Sequence, residues 1–236
     1  MKLALAVIAA LGAGAAISSA WAQDQGKTQG QLGDWYVSGF VGGAFLEGAR
    51  NQGDSGNPLS LQNANDPGYA IRGAFGAYRT SQVRVEGEIS YRRAGFGTVS
   101  VTNDAGLGAA AGRASLNGFR GSASGDVSAL SFMANAYYDY DTGSPWRPYW
   151  ALGVGFARVA LDSVRIAGAP VADDEDWVFA YQFGLGIGYE IAPRATLALD
   201  YRYFATLDPT LRDAAGGKFT SDFTSHNLSV GIRYRF

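Results

Sequence analysis

The chain closes on the stretch Ser225-His-Asn-Leu-Ser-Val-Gly-Ile-Arg-Tyr-Arg-Phe236. From Leu228 onward, apolar and polar residues alternate. Successive side chains of a strand point to opposite faces. Leu228, Val230, Ile232, Tyr234 and Phe236 therefore share one face, and Ser229, Gly231, Arg233 and Arg235 share the other. A period of two held over this length reads as a strand with two different surroundings.

Seven further stretches repeat the pattern. Asp34 to Leu46 places Trp35, Val37, Val41 and Phe45 on one face, and Tyr69 to Tyr78 places Tyr69, Ile71 and Phe75. Gln82 to Arg92 sets Val83, Val85, Ile89 and Tyr91 against Arg84, Glu86, Glu88, Ser90 and Arg92. Val127 to Tyr140, Arg147 to Leu161, Trp177 to Ile191 and Arg194 to Phe204 behave alike. At Arg158 the apolar phase is lost, which predicts either a bulge or an exit from the apolar zone.

The connections alternate in length. Thr80-Ser81, Asp141 to Trp146 and Ala192-Pro193 are short, whereas Gly48–Gly68, Gly95–Asp126, Asp162–Asp176 and Leu207–Thr224 are long. Short turns at one end and long loops at the other predict eight antiparallel strands in an up-and-down meander. Closure into a barrel removes both unpaired edges, and eight strands enclose an interior just wide enough for side chains to fill. The Gly/Ala/Ser-rich loop at 95–126 is expected to be mobile.

Alternation does not say which face points inward. Three features place the apolar face outside. The polar faces carry Gly153, Gly155, Gly184, Gly186 and Gly188, which would cover a wet exterior poorly but make room in a cramped lumen. They also carry mixed charge, Arg72, Arg84, Arg92, Arg202, Arg233 and Arg235 against Glu86, Glu88, Glu190 and Asp200. Inside a lumen such groups pair, because an unpaired buried charge is costly. Tyrosine and tryptophan cluster near strand ends, as at a membrane–water boundary. The expected fold is all-β, an eight-stranded antiparallel up-and-down transmembrane β-barrel over residues 34–236.

Composition agrees. Glycine supplies 33 of 236 residues, about twice the usual ~7%. There is no cysteine, so no disulfide holds the chain, and a net charge of −2 argues against nucleic acid as a partner. Lys2, the apolar run Leu3–Ile17 and Ser18-Ser-Ala-Trp-Ala22 form the pattern of a secretory signal peptide over residues 1–22, with Ala20 and Ala22 at the cleavage positions. The run is short of the ~20 residues that a spanning helix needs. Residues 23–33 are then a short periplasmic segment.

Four motifs carry a family resemblance: Arg147-Pro-Tyr-Trp-Ala-Leu-Gly-Val-Gly-Phe-Ala, Phe179-Ala-Tyr-Gln-Phe-Gly-Leu-Gly-Ile-Gly-Tyr-Glu, Leu199-Asp-Tyr-Arg-Tyr and the closing stretch. They resemble the later strands of the small eight-stranded outer-membrane barrels, the opacity-type and Omp25-like surface antigens with an OmpA-like transmembrane barrel. The likeness is strong over 145–236 and weaker before it. It implies the outer membrane of a Gram-negative bacterium, with lipid and lipopolysaccharide as neighbours. It also implies that Leu228, Val230, Ile232, Tyr234 and Phe236 form the assembly signal read by the barrel-assembly machinery.

Candidate chemistry is sparse. His226 is the only histidine, with Asp222, Ser225 and Ser229 nearby. Ser225 and Ser229 fall on the strand face opposite His226, which defeats a base–nucleophile pair. The acidic run Asp173-Asp-Glu-Asp176 has oxygen ligands for a divalent cation but lacks spaced ligands with a glycine turn, and reads as a solvated loop tip. No cofactor or metal is expected. The resemblance implies a structural barrel that displays four extracellular loops for envelope integrity, adhesion and contact with a host or surface ligand. A narrow porin is the alternative, and a lipid A-modifying enzyme stands third.

Overall fold

The computed structural model describes residues 33–47, 50–53, 60–103, 115, 117–166, 169–212, 218–221 and 223–236. Residues 1–32 with the cleavage positions Ala20 and Ala22, residues 104–114 and 116 of the segment expected to be mobile, and Asp222 lie outside this set. The described chain is all strand and turn. Its elements are β1 (Trp35–Leu46), β2 (Arg50–Gly53), β3 (Ser60–Asn65), β4 (Gly68–Tyr78), β5 (Val83–Asn103) and β6 (Arg120–Asp139). They continue with β7 (Trp146–Ile166), β8 (Ala169–Ala192), β9 (Ala195–Thr206), β10 (Thr210–Arg212), β11 (Lys218–Ser221) and β12 (Thr224–Arg235).

Eight of these close a ring in the order β1-β4-β5-β6-β7-β8-β9-β12, every pairing antiparallel. Closure is made by the quoted last strand against the first, with Val41 opposite Val230 and Tyr36 opposite Arg235. The three short turns stand where the spacing predicts them. Thr80 Oγ1 accepts the Val83 N–H at 2.9 Å, and Asp141 Oδ1 accepts the N–H of Gly143, whose φ is +65°.

The alternation resolves as apolar outside. Leu199 and Val230 are 48% and 54% exposed, while their strand neighbours Asp200 and Ser229 are 1% and 5% exposed. Aromatic rings form two belts. Trp35 stacks on Phe75 and Trp146 packs on Tyr189 at the turn end; Tyr69 meets Tyr91 and Phe132 meets Trp177 toward the outer end. A closed barrel with an apolar exterior satisfies every backbone group in hydrocarbon.

The long connections depart from expectation. Their described residues are mostly strand. β5, β6, β7 and β8 run to 21, 20, 21 and 24 residues, against 12, 11, 12 and 12 for β1, β4, β9 and β12. The long wall therefore rises beyond the outer aromatic belt. Over the short wall stand β2 and β3, from the first connection, and β10 and β11, from the last. They pair in the order β10-β11-β2-β3 and join β5 through β3. The result is a second ring stacked on the first: β5-β6-β7-β8 continue upward, and four short strands replace β4, β1, β12 and β9. At Arg158 the strand continues in register, opposite Leu130 and Trp177. The lost apolar phase thus marks the exit from the membrane, not a bulge.

The irregularities of β5, β6 and β7 lie higher, between Gly95 and Thr98, between Ser124 and Asp126, and between Leu161 and Val164. Gly125 sits there with φ +116°, and a Cβ on it would lie 2.8 Å from the Asp162 carbonyl oxygen, so both conformation and space demand glycine.

Candidate functional site

The membrane-level interior is occupied by one hydrogen-bonded ion-pair network. Its turn-end half centres on Glu86 of β5. Tyr36 of β1 and Tyr137 of β6 donate their hydroxyls to its two carboxylate oxygens at 2.9 and 2.5 Å, and Arg84 lies 3.8 Å away. Arg84 also pairs with Asp139 at 2.8 Å and lies 3.7 Å from the Tyr137 ring centroid. Such a large tyrosine fits because Gly76 faces it: a Cβ there would lie 2.5 Å from the Tyr36 ring.

One turn of pleat higher, Arg202 of β9 bridges Glu88 at 2.8 Å and Asp200 at 3.3 Å and donates to the Tyr137 hydroxyl at 2.8 Å. Arg72 of β4 meets the other oxygen of Asp200 at 2.6 Å, with its guanidinium over the Phe40 ring. Tyr149, Asn135 and Gln182 complete the layer through Asp200 and Glu88. Charged groups of both signs thus pair at nearly zero exposure, the condition under which burial is tolerated.

Arg92 caps the network. It donates to Ser90 Oγ at 3.1 Å and lies 3.6 Å from the Phe204 ring centroid, while its Nε and Nη1 have no hydrogen-bond partner among the described residues. Above it the interior turns apolar. Val99, Val159, Leu161, Ile166, Leu211, Phe219 and Phe223 pack there into one cluster that continues down to Phe204 and Met133 beside the network.

Of the ten lumenal charges named from sequence, Arg72, Arg84, Glu86, Glu88, Arg92, Asp200 and Arg202 lie in this column. Glu190, Arg233 and Arg235 stand apart at the turn-end rim. Glu190 accepts from Arg147 at 3.1 Å, and Arg147 also meets Asp141. Arg235 donates to the Pro193 carbonyl, and Arg233 lies 5.8 Å from the Tyr36 ring. The cavity between rim and network is about 20 Å³, room for roughly one water. Sequence reading passed over Tyr36, Asn135, Tyr137, Asp139, Arg147, Tyr149 and Gln182. All seven were legible from phase, since each lies on the face opposite the apolar set.

The acidic run is the clearest correction. It is not a solvated tip but part of β8. Asp176 and Asp174 accept the backbone N–H groups of Thr210 and Arg212 on β10 at 2.9 and 2.8 Å. Glu175 pairs with Arg158 on the outer face. The two aspartates bridge β8 and β10, between which no backbone ladder forms among the described residues.

The C-terminal residues Leu228, Val230, Ile232 and Phe236 face outward, and Tyr234 is half-buried on the same side. His226 also faces outward, with Nδ1 2.7 Å from the Tyr201 hydroxyl and Nε2 2.7 Å from Glu47. Ser225 and Ser229 are buried toward the lumen.

The model of the outer membrane protein beta-barrel domain matches residues 4–236. No curated relative matches the chain. Among solved structures, the outer membrane protein OprG from Pseudomonas aeruginosa is similar with a TM-score of 0.61 at 14% identity, covering 89% of this chain and 99% of that one. The outer membrane protease OmpT from Escherichia coli reaches 0.50 at 9% identity over 91% and 99%. Neisserial surface protein A reaches 0.48 at 23% identity over 86% and 97%. The likenesses to OprG and OmpT carry the fold. The chain belongs to the outer membrane protein beta-barrel domain family and is a protein of the Gram-negative outer membrane.

Proposed function

We propose that this protein is a non-enzymatic barrel that seals its own lumen and presents a raised β-ring as a surface for contact outside the cell. The observation that carries this reading is the filled interior, with paired charges below Arg92 and packed aliphatic and aromatic side chains above it. Support against acyl transfer comes from His226, whose face is opposite to that of Ser225 and Ser229. On this reading the chain is exported by residues 1–22 and cut after Ala22, residues 23–33 form a short periplasmic lead, and the outward face ending in Phe236 is read by the barrel-assembly machinery. The surface partner is a host or environmental ligand of the upper ring.

Planar-bilayer recording of the refolded protein tests the seal. The expected result is no stable open-channel current; large, stable currents would instead make the protein a narrow porin. Binding of whole cells to host surfaces, with and without an intact upper ring, tests the contact role. Unchanged lipid A acylation in cells carrying the protein is expected, and altered acylation would reveal an enzyme.

A further inference from the structure

Above the outer aromatic belt, the outward faces of β5, β6 and β7 form one continuous polar surface. Thr98, Ser100 and Thr102 of β5 alternate with the buried Val99 and Val101, and Arg120, Ser122 and Ser124 of β6 point the same way. Arg165 of β7 does so between the buried Val164 and Ile166. Register sets them side by side: Thr98 pairs with Ser122, Ser100 with Arg120, and Ser124 with Arg165. Arg120 and Arg165 are thus four residues apart in height, about 13 Å at the rise of a strand, with hydroxyls between them. These two arginines differ from those below. Arg93 and Arg158, at the level of the outer belt, are neutralised by Asp126 and Glu175. Arg120 and Arg165 have no ion-pair or hydrogen-bond partner among the described residues. The nearest carboxylates on the three strands, Asp126 and Asp162, stand at the foot of the face, where Arg93 and the Ser128 hydroxyl hold them. The other side of the ring is mixed. Arg212 and Lys218 oppose each other on β10 and β11, but they share that side with the exposed Asp173 and Asp208.

We propose that this face docks the anionic core saccharide of the surrounding lipopolysaccharide. Arginine holds a phosphate or carboxylate through paired N–H donors, and the serine and threonine hydroxyls between the two arginines both donate to and accept from sugar hydroxyls. Position selects the occupant. The face continues the barrel wall, so it looks sideways along the membrane rather than up toward another cell. It starts directly above the outer belt, and the layer beside it is the saccharide that the outer-leaflet lipid carries above its acyl chains. The wall of the ring is then held by the cell's own envelope, whatever its rim contacts.

The test uses the full mature chain in nanodiscs, with backbone amides followed by NMR. Discs that carry lipopolysaccharide with a phosphorylated core should shift residues 98–102, 120–124 and 163–165, and discs that carry lipid A alone should not. Core oligosaccharide released from that lipopolysaccharide should titrate the same amides saturably in the lipid A discs, more weakly as salt is added. Arg120→Gln together with Arg165→Gln should weaken this binding at least about tenfold, the loss expected for charge-assisted contacts. Arg212→Gln together with Lys218→Gln removes the same charge from the other side of the ring and should leave the binding unchanged. Both double variants should keep the barrel heat-modifiable on gels. Equal shifts with lipid A alone, or equal weakening by the two double changes, would overturn the assignment. So would saturation of this face by a soluble sulfated glycan and not by the core, which would make it a receptor for a host polyanion.

Discussion

The membrane ring and the ring above it share the strands β5 to β8 but have opposite polarity. Below the outer belt, β5 points Arg84, Glu86, Glu88 and Arg92 inward and Ile89 outward; above it, the same strand points Val99 and Val101 inward and exposes Thr98 and Thr102. β7 passes likewise from an inward Arg147 and Tyr149 to Val159, Leu161 and Ile166, with Arg158 outside. The inversion follows the solvent. In hydrocarbon the exterior must be apolar and the charges retreat inside to pair; in water the hydrophobic effect gathers the apolar side chains in the interior. The two halves are therefore held by different forces, ion pairs and hydrogen bonds below and apolar burial above.

Substitutions separate the halves. The largest effect is expected for Arg202→Met, which leaves Glu88 and Asp200 short of a buried counter-charge. A loss of about 3–5 kcal/mol, read from urea unfolding in lipid vesicles, is expected; a loss under ~1 kcal/mol would mean that the network is freely hydrated. Next comes Leu199→Arg on the lipid face, at about 2–4 kcal/mol. The equivalent change Asp173→Arg, on the outer surface of the upper ring, should fall within about 0.5 kcal/mol. If both cost the same, the polarity boundary is misplaced.

Leu161→Ala removes buried volume from the upper cluster and should cost about 2–3 kcal/mol. The loss should appear as faster amide exchange at 98–102 and 158–166, with membrane strands protected. Smaller than the loss at Leu161 is that of the double change Asp174→Ala and Asp176→Ala. Two exposed side-chain-to-backbone bonds contribute about 1–2 kcal/mol together, and their loss should open the β8–β10 seam to protease on whole cells while gel migration of the heated and unheated barrel is unchanged.

The membrane ring was largely legible along the chain, because each face of a strand meets one solvent and writes a period of two. Even the overlooked Tyr36, Tyr137 and Tyr149 stand in the inward phase, each next to an outward Trp35, Tyr138 or Trp150. The upper ring was less legible. Thr98-Val-Ser-Val-Thr102 does alternate, but it is short, flanked by glycine, and inverted relative to the strand that feeds it, so a single phase carried along β5 fails at the register shift after Gly95. The acidic run gave no sign of its role, since the backbone N–H groups that donate to it lie 34 and 38 positions along the chain.

Local order thus specified the strands, their two faces and the closed barrel that hydrocarbon requires. Which charge meets which was settled only by closure. Arg202 and Glu88 lie 114 positions apart, and they touch because the stagger of eight strands brings β9 and β5 to one level of the lumen. The second ring and the apolar cluster inside it were likewise decided in three dimensions, by strands that keep pairing after they have left the membrane.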